Sequence, residues 1–404
     1  MLSLAIAVPA CTVAPPIGDA DAAALRELLD RRAAAVRNRN AAAFAQTVDP
    51  RAEQAFIAAQ AALLANLGGV ELDSWDYELD PSDTVTPPDG PDAEDLWAPA
   101  TRLRYALTGV DPAPTTRPLG YLYARRDGRW YLASDTALER AGRPTWRGPW
   151  DFAPCVELRA LRGRVIGHPG GEPLLGALAA ELDPAVEAVT AFWGSGWSQR
   201  IGVLVPGVPA ERAALVGGVS PEPLAAIAVA DHVDRAAGTA FGQRIVVDAA
   251  AAAALAPLAR RVVLRHEATH IAARAATDDA APLWLVEGFA ELVGYAGSGL
   301  APAAIAPGLA AAVRAGALPT ELPADAEFRG PDFALAYQRS WSLATLLAAR
   351  LGVPGLVALY QRVAGRPADP AVLDSELHAA LGLDRAGLVD AWRAELRRTF
   401  GGAG

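Results

Sequence analysis

Between residues 21 and 37 the positions Ala24, Leu25, Leu28, Leu29, Arg32 and Val36 fall at helical spacing, with Asp19 or Asp21 as cap, and this pattern predicts a helix. A second, short helix is predicted over residues 40–47. Alternating stretches then predict strands at 70–79, 101–108 and 119–126, and Asp127-Gly128 between "YLYAR" and "WYLAS" predicts a hairpin. Helix, helix, then antiparallel strands describe an α+β unit. The Pro-rich run "GRPTWRGPWDFAP", residues 142–154, reads as a linker. Beyond Cys155 the strand-like segments are "VELRALRGRVIGHP", "QRIGVLVPG", "LAAIAVAD" and "GQRIVVD", with a helix over 172–192 between the first two. After Asp248 the chain reads as helical. One helix over 249–275 carries Leu255, Leu258, Val262, Val263 and Ile271, and Pro354-Gly355 separates two late helices.

A length of 404 residues exceeds what one core normally organises, so two or more domains are expected. The net charge of −10 argues against nucleic-acid binding, which needs clustered positive charge. All 36 basic residues are arginine, which removes lysine-based catalysis from consideration. The opening "MLSLAIAVPAC" is a short apolar run ending in small residues before Cys11, and it resembles a bacterial lipoprotein signal. That resemblance implies lipidation of Cys11 and an extracytoplasmic, membrane-anchored protein; a secreted one is the alternative. Cys155 is then left without a disulfide partner.

Two of the five histidines lie four residues apart in "RHEATHIAAR". On a helix His266 and His270 share a face and can grip one ion, with Glu267 beside them as a general base. The bland alternative is a helix that carries two core or surface histidines. Downstream, "PLWLVEGFAEL" predicts a helix starting near Pro282, and Glu287 follows His270 by 17 positions. Two histidines and one glutamate leave tetrahedral zinc a position for water, the donor set of a catalytic site. Glu291, one turn on, is either a hydrogen-bond partner for the outer nitrogen of His266 or a residue of a solvated face.

"HEATH" followed by "WLVEGFAE" resembles the gluzincin metallopeptidases, the peptidase MA-like group related to aminopeptidase N and thermolysin, over about residues 155–400. The resemblance implies one zinc ion on His266, His270 and Glu287, with Glu267 as base. It also implies a small mixed sheet over the active-site helix, with "GQRIVVD" as the edge that lines the cleft. The domains would be a zinc-binding catalytic subdomain at 155–297 and a helical subdomain at 298–404. "ALAYQRSWSLATLLAARLG" resembles the helix that carries a tyrosine in aminopeptidase-type members, which implies for Tyr337 the role of phenol donor to the oxyanion; the alternative is a core or interface tyrosine on an apolar helix. A thermolysin-like member would use a histidine in that role; His378 is the one in the helical C-terminal part, and its "ELHAALG" setting reads as a surface position, while His168 and His232 lack metal-ligand spacing. The Gly-x-Met-Glu-Asn strand that binds a free amine in aminopeptidase N-like enzymes is absent, because the only methionine is Met1. Endopeptidase action, or trimming of a substrate recognised differently, is therefore the expectation; the substrate is expected to be a peptide or protein, and the protein a monomer. Residues 1–20 read as signal and linker. Residues 21–140, through "YLYARRDGRWYLAS", resemble the cone-shaped α+β fold of the nuclear-transport-factor-2-like (ketosteroid-isomerase-like) superfamily, which hosts both enzymes and adaptors. Two other functions stay open: a lipid-anchored binding protein with a silent zinc domain, and a zinc hydrolase of a non-peptide amide.

Overall fold

A computed structural model describes residues 18–88, 93–218 and 224–401. Cys11 and the apolar opening run lie outside the described residues. The chain is a mixture of helix and strand that divides into two compact units. One comprises Met1–Gln60, Asp76–Arg102 and Pro118–Thr145; the other comprises Ala61–Trp75, Leu103–Arg117 and Trp146–Gly404.

The described residues open with helices α1 (Asp19–Arg37), α2 (Ala41–Ala45) and α3 (Gln54–Asn66). The apolar stripe of α1 is buried at Leu25, Leu28, Leu29 and Val36, and Asn40 caps α2 by accepting the Ala43 N–H at 3.0 Å. Helix α3 departs from the sequence reading, which left these residues unassigned. In "QAFIAAQAALLAN" apolar residues surround the helix, so no stripe marks it.

Six strands follow: β1 (Leu72–Thr84), β2 (Asp95–Trp97), β3 (Pro99–Leu107), β4 (Thr115–Leu119), β5 (Leu122–Arg126) and β6 (Arg129–Ser134). The strand expected at 119–126 straddles a change of sheet. β4 pairs in the order β1-β3-β4, whereas β5 pairs in the order β2-β5-β6. At the change, Gly120 is pressed against the chain: a Cβ there would stand 1.9 Å from the Arg143 carbonyl oxygen. Asp127 and Gly128 both have positive φ, 48° and 70°, which matches the twist a two-residue hairpin turn needs between β5 and β6. The first unit encloses a polar interior. Arg32 is 1% exposed, donates to Thr47 Oγ1 at 3.0 Å and to Gln60 Oε1, and lies 4.0 Å above the Phe44 ring.

The second unit is built on a five-stranded mixed sheet of β7 (Val156–Ala160), β8 (Gly163–Gly167), β9 (Ile201–Leu204), β10 (Ala226–Val229) and, after a small hairpin of β11 (His232–Asp234) and β12 (Thr239–Phe241), β13 (Arg244–Val247). Helix α4 (Glu172–Trp193) makes the crossover that parallel β8 and β9 require, and α5 (Pro209–Val216) follows β9. The sheet order is β10-β13-β9-β8-β7, and this corrects the sequence reading: "GQRIVVD" is an interior strand, flanked by β9 and β10. The edge on that side is β10, paired antiparallel to β13 from Ala226↔Val247 to Val229↔Arg244. Trp150, inside the run read as a linker, is 2% exposed and meets Trp75 edge-on at 5.4 Å.

The expected helix over 249–275 is two helices, α6 (Ala249–Ala254) and α7 (Pro257–Ala273). Leu255 and Ala256 are not helical, because Pro257 disfavours helical backbone before it and opens α7 at its first turn. Then come α8 (Leu283–Tyr295), α9 (Pro302–Ile305), α10 (Pro307–Arg314), α11 (Phe333–Ala364), α12 (Pro370–Leu381) and α13 (Arg385–Phe400). The late break falls at Gly352 (φ 69°, ψ 166°), two residues before Pro354. By length and composition α11 could cross a membrane, but its Ala336, Leu343 and Leu347 are buried in the core.

Candidate metal centre

Leu264, Ala268, Ile271 and Ala272 fix α7 in the core, which leaves His266, Glu267 and His270 along a cavity of about 630 Å³. Two glycines let α8 close on its neighbours. A Cβ at Gly288 would lie 2.5 Å from the Ser340 carbonyl oxygen on α11, and one at Gly294 would lie 3.1 Å from that of Val262 on α7. This close packing delivers Glu287 and Glu291, one turn apart, to the histidine face.

Three donor atoms converge. Nε2 of His266 lies 3.0 Å from Nε2 of His270, and Glu287 Oε2 lies 3.2 and 3.4 Å from those two nitrogens. Glu291 Oε1 is 3.1 Å from His266 Nδ1 and can accept its N–H, which turns the Nε2 lone pair toward the cluster. Tetrahedral zinc ligands at the usual bond lengths stand roughly 3.3–3.4 Å apart, so the spacing suits one such ion. Satisfaction of hydrogen bonds agrees: Glu287 Oε2 is buried and makes no hydrogen bond. The site thus offers two imidazole nitrogens and an unsatisfied carboxylate oxygen, a donor set that fits zinc. Burial works against charge on His266, but the Glu287 and Glu291 carboxylates outweigh it and hold the imidazole well above its ordinary range. Burial likewise raises the Glu287 carboxyl, yet His270 and His266 reverse this and leave it far below the usual carboxylate range.

Glu267 is 8% exposed, and its Oε2 accepts the Ala228 N–H of edge strand β10 at 2.7 Å. Tyr337, on α11, lines the same cavity with its ring 6.2 Å from that of His266, and it is held edge-on by Phe328 at 5.3 Å. Leu255, Val262, Val263, Ile305 and Phe333 form the apolar wall. Sequence reasoning missed two participants. Ala228 enters only through its backbone, which no residue type announces. Arg274 also lines the cavity, and its one sequence signal is its place four residues after His270.

The other histidines stay apart from this cluster. His168 donates from Nδ1 to the Pro154 carbonyl and from Nε2 to Glu211, both at 2.9 Å. The Glu211 hydrogen bond, against the opposing effect of burial, raises its pKa. His232 is exposed and stacks on Phe241, and His378 is exposed on α12. Cys155 is a free, buried thiol whose pKa burial pushes up to about 12.

No protein-family model and no curated protein matches the chain. Among solved structures it is similar to an M1 zinc metallopeptidase from Deinococcus radiodurans, with 20% identity over 57% of this chain and 47% of that one, at a TM-score of 0.34. A mutant of the M1 enzyme from that organism bound to a Tyr-Ser-Ala substrate is 14% identical over 80% and 94% of the two chains, at 0.35. A two-domain M1 mutant bound to L-arginine is 16% identical over 70% and 59%, at 0.33. The chain spans about half the length of the first of these structures.

Proposed function

We propose that this protein is a zinc-dependent peptidase that cleaves peptide bonds by general-base attack of water. The observation that carries the reading is the convergence of His266, His270 and Glu287 donor atoms within 4.8 Å of one another, in a cavity that also holds Glu267 and Tyr337. The cavity, about 630 Å³, is of the size that ordinarily accepts a small ligand or a few residues of a peptide.

His266, His270 and Glu287 would hold the zinc ion, and when bound it would supply the Lewis acidity that lowers the pKa of water toward neutrality and polarises a peptide carbonyl. Glu291 keeps the Nδ1 proton of His266 in place and so preserves the Nε2 lone pair. With Oε2 of Glu267 engaged by the Ala228 N–H, Oε1 takes the proton from the attacking water and returns it to the leaving amine. The phenol of Tyr337 donates to the oxygen on which negative charge develops. The apolar wall receives uncharged parts of the substrate.

Endopeptidase action, or trimming of a substrate recognised otherwise than by its free amine, is part of the proposal, supported by the lack of a Gly-x-Met-Glu-Asn strand. So are lipidation at Cys11, an extracytoplasmic membrane-anchored location, a monomeric state and a nuclear-transport-factor-2-like N-terminal region. The test of the central reading is hydrolysis of a peptide library by zinc-loaded protein. Glu267→Gln should retain zinc and lose activity by a factor on the order of 10²–10⁴. Undiminished activity in that variant would overturn the mechanism.

A further inference from the structure

Arg274 stands at an unusual place for a cation. His266, His270 and Arg274 recur at four-residue intervals along one face of α7 and its C-terminal end. Four residues of helix advance about 6 Å, a distance spanned by roughly two residues of an extended peptide. A group one or two residues from a bond held at the metal centre is therefore within reach of the guanidinium.

Its present partners leave it incomplete. Nη2 donates to the Ala228 carbonyl oxygen at 2.7 Å, Nε is buried without a hydrogen bond, and among the described residues no carboxylate forms an ion pair with it. Two other arginines of the same unit have the paired carboxylate that Arg274 lacks. Arg244 grips both oxygens of Asp111 at 2.7 Å, and Arg261 grips those of Glu181 at 2.8 and 3.0 Å. A largely buried guanidinium with no carboxylate hydrogen-bonded to it is unfavourable. In keeping with this, burial lowers its pKa, against the opposing pull of Glu267. The bond to Ala228 also holds the guanidinium fork on the cavity wall before any ligand arrives, so little freedom remains to be lost on binding.

We infer that Arg274 is a specificity residue that binds a carboxylate of the substrate next to the scissile bond, either an acidic side chain or a free α-carboxylate. This rests on the peptidase reading above and narrows its substrate class to anionic peptides. Guanidinium and carboxylate pair through two parallel hydrogen bonds, which a neutral amide cannot match.

The test uses the zinc-loaded full chain and peptides in which each position around the cleavage site carries Asp or Asn, Glu or Gln, each made with a free and with an amidated C-terminus. Wild type should favour one carboxylate placement over its amide by about 10- to 100-fold in kcat/KM. Arg274→Gln should erase that preference and leave the amide peptides within about threefold, while Arg274→Lys, which keeps the charge without the fork, retains part of it. Sensitivity to amidation identifies an α-carboxylate; sensitivity to Asp/Asn or Glu/Gln exchange identifies an acidic side chain. Zinc content and thermal midpoint report whether each variant is folded. Equal use of acids and amides by wild type overturns the inference. So does an equal loss for every peptide in Arg274→Gln, which would mean that the residue only secures β10. Calorimetric titration of the same peptides onto zinc-loaded Glu267→Gln separates this inference from the reading beneath it. Acid-selective binding that disappears in Glu267→Gln/Arg274→Gln supports the inference even where wild type hydrolyses nothing, a result that removes the peptidase reading alone. Hydrolysis without acid selectivity removes the inference alone.

Discussion

Both units bury charged groups, but they finish the job differently. In the first unit Asp49 receives Arg126 Nε at 2.7 and 2.9 Å, and Asp135 receives the Gln60 amide at 3.1 Å. Each buried carboxylate there is answered by a donor from its own unit. At the candidate metal centre of the second unit, two imidazole nitrogens and a carboxylate oxygen face one another within 3.4 Å, and Glu287 Oε2 makes no hydrogen bond. A satisfied polar cluster needs nothing further and serves stability. A cluster of this composition, with a carboxylate oxygen left without a hydrogen bond, has the donor set that fits a metal cation.

That contrast can be broken from either side. Asp49→Asn should cost about 3–5 kcal/mol of stability, because it strands the Arg126 guanidinium, 5% exposed, in the interior. Denaturant unfolding should record that loss while the zinc content stays unchanged. Glu291→Gln acts on the metal instead: it should weaken zinc affinity by about 10- to 100-fold, measured by chelator competition, with little change in the thermal midpoint of the metal-free chain. The smallest effect belongs to His168. Its folded pKa is raised by Glu211, so its contribution to stability is complete below the unfolded value of about 6.5 and is lost as pH rises through the higher folded value. The deficit in melting temperature of His168→Gln relative to wild type should accordingly shrink between about pH 6 and about pH 9. A deficit that grew with pH would contradict the His168–Glu211 pairing.

The sequence disclosed what local spacing can encode. The stripe of α1, the Asp127-Gly128 turn and the shared face of His266 and His270 all depend on residues within one or two turns of each other. Strand order was illegible, since β10 rather than β13 is the edge, and pairing between distant segments leaves no period in the chain. Helix α3 was hidden because its apolar residues surround it, and the break before α7 because Pro257 fits a helix start as well as a helix interruption. At the site, Glu287 could be proposed from its place on the helix that follows His270 by 17 positions, and Glu291 from its place one turn further on. Ala228 could not, because its contribution is a backbone N–H and carbonyl delivered by the sheet edge.

Zinc stoichiometry is the most direct test of the account. Elemental analysis of purified full-length protein, beside Glu287→Gln and His270→Ala, should find one tightly held zinc ion per wild-type chain and a large loss from both variants. Wild-type protein that stays metal-free in the presence of zinc, or variants that hold the ion as firmly, would contradict it.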